Sequence, residues 1–90
     1  MIYLGIDTSN YTTSVSVCDN NLFINVRNIL KVKQGERGLR QSDAVFQHIK
    51  ELPNLYYEMS GKVDFKKVCA VGVSTRPRSI EGSYMPVFLA

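Results

Sequence analysis

Near its N-terminus the chain runs an apolar segment, Leu4-Gly5-Ile6, into Asp7, then through Thr8, Ser9 and Asn10 into a second segment where Thr13, Val15 and Val17 alternate with Ser14 and Ser16. Alternation with a period of two marks a strand with one buried face. Two strands this close in sequence must lie side by side. Asp7 is then carried to the open end of the first, beside a short turn of hydroxyl and amide side chains. No other stretch of the sequence restricts the fold as tightly.

The following residues extend the pattern. We place the first two strands at Ile2–Asp7 and 13–19, joined to a third by the polar turn Asp19-Asn20-Asn21, as in a tight hairpin. In the third, 22–33, the even positions Ile24, Val26, Leu30 and Val32 are mostly apolar, so one face should be buried. Three strands on short turns make an antiparallel meander. Residues 34–38 form a glycine-bounded loop. From Ser42 onward, Val45, Ile49, Leu52, Leu55, Tyr56 and Met59 fall at three- and four-residue steps, which predicts a helix capped near Gln41 or Ser42. Pro53 predicts a kink or a restart within it. Val68–Val73 is a continuous apolar run, the pattern of a strand buried on both faces. Following a helix, it should pair parallel with the first strand through a right-handed crossover. A loop at 74–82 leads to a helix start at Ser83-Tyr84-Met85-Pro86. The apolar ending Val87-Phe88-Leu89-Ala90 carries no stop signal and reads as a truncation.

Ninety residues suit one small domain. Such a chain buries a modest share of its surface, so a partner or a second copy is expected to add stability. An apolar fraction of 44% argues against disorder, and a net charge of +3 is too mild to imply nucleic acid by itself. No apolar run approaches the roughly 20 residues that span a bilayer, and no cleavable leader is seen, so a cytoplasmic protein without a membrane partner is expected. Cys18 and Cys69 sit alone in apolar runs and are expected to be reduced and buried.

Asp7 is the foremost chemical candidate. A carboxylate at a strand end can hold the hydration shell of Mg²⁺, and Thr8, Ser9 and Asn10 can offer amides and hydroxyls to phosphate oxygens. The same residues equally suit a turn in which Asp7 and its neighbours satisfy local backbone. Ser74, Thr75, Arg76 and Arg78 follow the apolar run. If that strand runs parallel to the first, they line a crevice with Asp7, where ligands of open α/β sheets bind. The arginines could clamp a phosphate or carboxylate, or simply be solvated. Arg37 and Arg40 suit a partner loop or a bare surface loop. His48, one position from the seam at Ile49, suits packing or ligation. Tyr11, in the turn, is the one tyrosine placed near the candidate site.

Gly5-Ile6-Asp7-Thr8-Ser9 with Thr13-Ser14-Val15 resembles the Gly-Ile-Glu-Thr-Ser and Thr-Ser-Val elements of the TsaD family, long described as glycoproteases or O-sialoglycoprotein endopeptidases. Gln41-Ser42-Asp43-Ala44-Val45-Phe46 is similar to the His-Ser-Glu stretch of the related TsaB scaffold proteins. The resemblance spans essentially the whole chain. It implies an α/β, ribonuclease H-like half-domain of the actin-like ATPase superfamily: the N-terminal lobe, residues 1–90, of a divergent paralogue. From their place at the sheet edge, nucleotide and phosphate binding is expected at Asp7, Thr8, Ser9, Asn10, Ser74, Thr75, Arg76 and Arg78, with Asp7 meeting metal through water. Active family members transfer a threonylcarbamoyl group to tRNA, so Mg²⁺, ATP, tRNA and a second lobe or related subunit are implied for an intact protein. For this stretch alone the expectation is no cofactor, no catalytic residue and self-association. Tyr11 and Thr12 replace the family's acidic pair, Arg76-Pro77-Arg78-Ser79 replaces its glycine-rich turn, and its metal-binding histidine pair would lie beyond Ala90.

Three functions compete. The first is a nucleotide-binding lobe, and the second a TsaB-like scaffold that dimerises through a helix face or sheet edge. The third is a nuclease of the ribonuclease H type, which needs several carboxylates about two metals, where this sequence offers Asp7. A peptidase is unsupported, since the sequence holds neither a nucleophile–base motif nor a zinc motif.

Overall fold

The computed structural model describes residues 1–32, 38 and 40–90, with Val87 and Leu89 described by backbone alone. Among these residues the chain is an α/β fold of a mixed sheet and one helix. Strands β1 (Ile2–Asp7), β2 (Thr12–Asp19) and β3 (Leu22–Ile29) precede helix α1 (Gln41–Ser60) and strand β4 (Val68–Val73). Single 3₁₀ turns occupy Phe65–Lys67 and Pro86–Leu89. The sheet order is β3-β2-β1-β4, with β2 antiparallel to both neighbours and β4 parallel to β1. The expected meander, helix and parallel strand are thus all present.

Alternation decides which side of the sheet the helix covers. Thr13, Val15 and Val17 of β2 are buried on one face, and the register places Leu4 and Ile6 of β1 and Ile24 and Val26 of β3 beside the two valines. Helix α1 rests on β2 and β3. The core holds Val15, Val17, Val26, Leu55 and Met59, flanked by Ile2, Leu4, Leu52 and Phe65. A smaller cluster, Leu30 and Ala44, packs with Val45, Met85 and Phe88 and ties the C-terminal turn to the start of α1. Close approach explains Gly5: a Cβ there would lie 2.7 Å from the Ser16 hydroxyl on the neighbouring strand.

Several expectations are corrected. β3 stops at Ile29, because β2 begins at Thr12 and offers no further partner. Instead Leu30 donates its N–H to the Tyr11 carbonyl at 2.7 Å, and the Gln47 amide both accepts from and donates to the Lys31 backbone at 2.8 Å. Position 33, the expected end of this strand, and the loop at 34–38 apart from Gly38 lie outside the described residues.

Helix α1 is unbroken at Pro53, which sits on its exposed side and forfeits one backbone bond. Its buried stripe is Ala44, His48, Leu55 and Met59, while Ile49 and Tyr56 are exposed. β4 is exposed from Cys69 to Val73, since α1 lies over the far half of the sheet. Both cysteines are exposed free thiols, Cys69 on bare β4 and Cys18 on the sheet face away from α1. The expected helix start after Ser83 is a 3₁₀ turn.

Leu55 and Met59 anchor the only helix among the described residues to the sheet, both essentially without solvent exposure. Either one replaced by alanine should cost about 2–5 kcal/mol, the range for deleting a buried aliphatic side chain. Urea denaturation should show the loss as a lower midpoint at unchanged slope. Alanine at exposed Ile49 should leave the stability within about 0.5 kcal/mol of the parent.

Candidate functional site

The parallel pairing of β1 and β4 brings their C-terminal ends together. Asp7 ends β1 and Ser74 follows β4, and the Ser74 hydroxyl donates to Asp7 Oδ1 at 2.7 Å. The Ser74 backbone N–H extends the ladder to the Ile6 carbonyl at 3.1 Å. Ser9 donates its own N–H to Asp7 Oδ1 at 2.9 Å, and the Thr8 N–H reaches the Ser74 hydroxyl at 3.4 Å. Asp7 therefore closes its own turn and clips it to the neighbouring strand. The turn-satisfying arrangement is present, and it engages two of the amides that an anion would use.

The turn continues through Asn10, whose φ of 52° lies in the left-handed region that asparagine tolerates better than most residues. Its carbonyl is held from above by α1. His48 Nε2 is 3.1 Å from the Asn10 carbonyl, and Nδ1 is 2.7 Å from the Thr13 hydroxyl. A carbonyl can only accept, so Nε2 carries the hydrogen and the Thr13 hydroxyl donates to Nδ1. His48 and Thr13 both have zero exposed surface, so this hydroxyl–imidazole pair is out of reach of any substrate. Its work is positional: it fastens the turn to the helix. The sequence carried a signal for this, since His48 falls four residues after Ala44 and four before Leu52, within a helical stripe.

Beside Asp7 opens a cleft of about 480 Å³ lined by Asp7, Ser9, Asn10, Ser74, Arg76 and Pro77, with Met85 and Phe88 as an apolar wall. The crevice unites Asp7, Ser9, Asn10, Ser74 and Arg76 from the sequence-based set. Thr8 is buried beneath the turn and does not line the cleft, and Thr75 and Arg78 are exposed outside it. The Arg78 backbone N–H donates to the Ser83 hydroxyl at 3.0 Å. Arg40 precedes α1 in extended conformation, and Arg37 lies outside the described residues. Tyr11 is exposed at the turn and does not line the cleft.

Among the described residues no cluster of three or more His, Cys, Asp or Glu side chains could hold a metal ion. The donor set of the cleft offers one carboxylate. That fits Mg²⁺ bound through its waters and shared with a phosphate ligand better than an ion caged by protein. No helix among the described residues is long and apolar enough to cross a membrane. Compared with known proteins, the chain matches no protein-family model and no curated protein.

Burial pushes the Asp7 carboxyl up, but the hydrogen bonds from Ser74 and Ser9 and the nearby His48 ring together outweigh it and hold Asp7 below its ordinary 3.8. For His48, burial outweighs the Asn10 bond and the Asp7 charge and holds the ring below its ordinary 6.5. The folded chain thus resists protonating His48 while the unfolded chain does not. This contribution to stability is complete above pH 6.5 and falls away as the pH drops below it.

His48 is the only histidine, so acid loss in this window should disappear in His48→Gln. Urea denaturation from about pH 7.5 to about pH 5 should show a sloping stability for the parent and a flatter one for the variant. At neutral pH the variant should be weaker by about 1–3 kcal/mol, for its strained fit to Thr13 and Asn10.

Proposed function

We propose that the chain is a phosphate-holding lobe, related in architecture to the ribonuclease H-like half-domain of actin-like ATPases and most closely to TsaD-like proteins. One observation supports the reading above others: Asp7 and Ser74 sit at the shared carboxyl edge of two parallel strands, with Arg76 lining the same open cleft. In this reading Arg76 takes a phosphate oxygen through charge-assisted hydrogen bonds, and Asp7 orders waters around Mg²⁺. The Thr8 and Ser9 amides turn outward as an anion replaces Asp7 and Ser74 as their acceptor. Arg78 and Thr75 would join only with movement of the loop that follows β4.

The lobe supplies nucleotide positioning and no catalytic group. Threonylcarbamoyl transfer to tRNA would require a second lobe or a related subunit to close over ATP and to provide the reacting residues. A scaffold role of the TsaB kind is the second reading, favoured by the exposed apolar residues Val71 and Val73 on β4, which α1 leaves open, and Ile49 and Tyr56 on α1 itself. Self-association of the chain belongs to that second reading.

Amide NMR spectra during titration with Mg·ATP discriminate the two. Binding should shift the signals of Thr8, Ser9, Ser74 and Arg76 before all others. Arg76→Ala should weaken it by about tenfold or more, as expected when a charged hydrogen bond of 1.5–3 kcal/mol is lost. Asp7→Asn should remove the added effect of Mg²⁺ over ATP alone. Shifts scattered over the surface, or Asp7→Ala behaving as the parent, would contradict the phosphate-holding reading.

A further inference from the structure

Among the described residues nothing pairs with the outer edge of β4. The Ser74 N–H bonds the Ile6 carbonyl, and Gly72 and Val73 lie opposite Gly5 and Ile6. In a parallel ladder alternate residues bond a given neighbour, so Gly72 and Ser74 turn their backbone groups to β1. Val71 and Val73 turn theirs outward. β4 ends the sheet, and among the described residues no backbone group bonds to that side. Val71 and Val73 are 55% and 56% exposed.

Sheets usually defend such an edge with lysine, proline or a bulge. Within β4 the sequence Val68-Cys69-Ala70-Val71-Gly72-Val73 has neither charge nor proline, and the one irregularity in its pairing falls near its start, between Ile2 and Tyr3 of β1.

Charge is confined to the two ends. Lys66 and Lys67 come just before β4, Arg76 and Arg78 just after, and all four are exposed. None of them forms an ion pair among the described residues. The nearby acids are Asp64, whose carboxylate accepts the Lys66 backbone N–H at 3.0 Å, and Glu81 in the following loop. A second copy added antiparallel would set Lys66 and Lys67 along the Arg76 end of its mate. Added parallel, it would set lysine beside lysine. Both directions bring like charges together, which disfavours self-pairing.

We propose that the β4 edge docks an extended segment of a different polypeptide, one whose alternating apolar residues lie between acidic flanks. Backbone bonds from Val71 and Val73 supply the attachment, as in other strand additions, and the basic ends select the partner. Its apolar side chains extend the surface of Val71 and Val73 on the helix side of the sheet.

Fluorescence anisotropy with a labelled valine–threonine peptide bounded by paired glutamates tests this on the full chain. The glutamate-flanked peptide should bind at least about tenfold more tightly than its lysine-flanked twin, with the preference shrinking as salt rises. Val71→Pro removes an N–H that the fold does not use. It should abolish binding while circular dichroism stays unchanged. Reversing charge with Lys66→Glu and Lys67→Glu, exposed positions outside the core, should cut the glutamate preference even if the proline variant folds poorly. Equal affinity for the two peptides, or an unaltered preference after charge reversal, would overturn the proposal. So would a dimer in sedimentation that Val71→Pro abolishes, since the edge would then serve a second copy.

Discussion

The parallel pairing of β1 with β4 is the constraint from which the rest of the structure follows. Hairpin links alone would have given a meander with Asp7 at one bare corner. The helical crossover returns the chain alongside β1 in the same direction, so two strand ends meet at one edge. There the Ser74 hydroxyl bonds the Asp7 carboxylate, and the loop after β4 brings Arg76 into the lining of the same cleft. A one-residue slip in this pairing would turn Ser74 to the other face of the sheet and dissolve the cluster.

A second constraint acts through the helix. α1 covers β2 and β3, and His48 is the polar pin in its apolar stripe, reaching the Asn10 carbonyl and the Thr13 hydroxyl. A buried imidazole with both nitrogens bonded is stable, whereas one left with either unpaired would cost a desolvation penalty. The pin therefore specifies where the β1–β2 turn sits beneath α1. The same placement leaves β4 bare, so the arrangement that secures the turn also exposes an apolar strand edge. Site and docking edge thus both follow from where one helix rests.

The sequence spoke clearly where a pattern had a single physical solution. The alternation of Thr13, Val15 and Val17 against Ser14 and Ser16 has one buried face, and Asp7 before a polar turn has one place on a sheet. The crevice between Asp7 and Ser74 followed once a strand after a helix was taken as parallel. Helix phase was less legible. Ile49 and Tyr56 fit the apolar spacing as well as Ala44 and His48 do, and the choice fell to a histidine whose two partners lie far away in sequence. The burial of β4 was misread because composition records how apolar a strand is, not what covers it. The error for Cys18 and Cys69 has the same origin. That Asp7 closes its own turn is one of two readings the sequence leaves open, and the part Ser74 plays in fastening it is visible only in the structure. The resemblance to TsaD-like proteins rests on short motifs, and those motifs bear on the turn and cleft more than on the arginine loop.

Asp7 reports directly on whether the two strand ends truly meet. A carbon-detected NMR titration of its carboxyl group, in the parent and in Ser74→Ala, measures that contact without any ligand. The structure requires Asp7 to titrate below its ordinary 3.8 in the parent and to move upward when the Ser74 hydroxyl is removed. An ordinary Asp7 titration in the parent, indifferent to position 74, would mean that the Ser74 hydroxyl does not hold the Asp7 carboxylate at this edge.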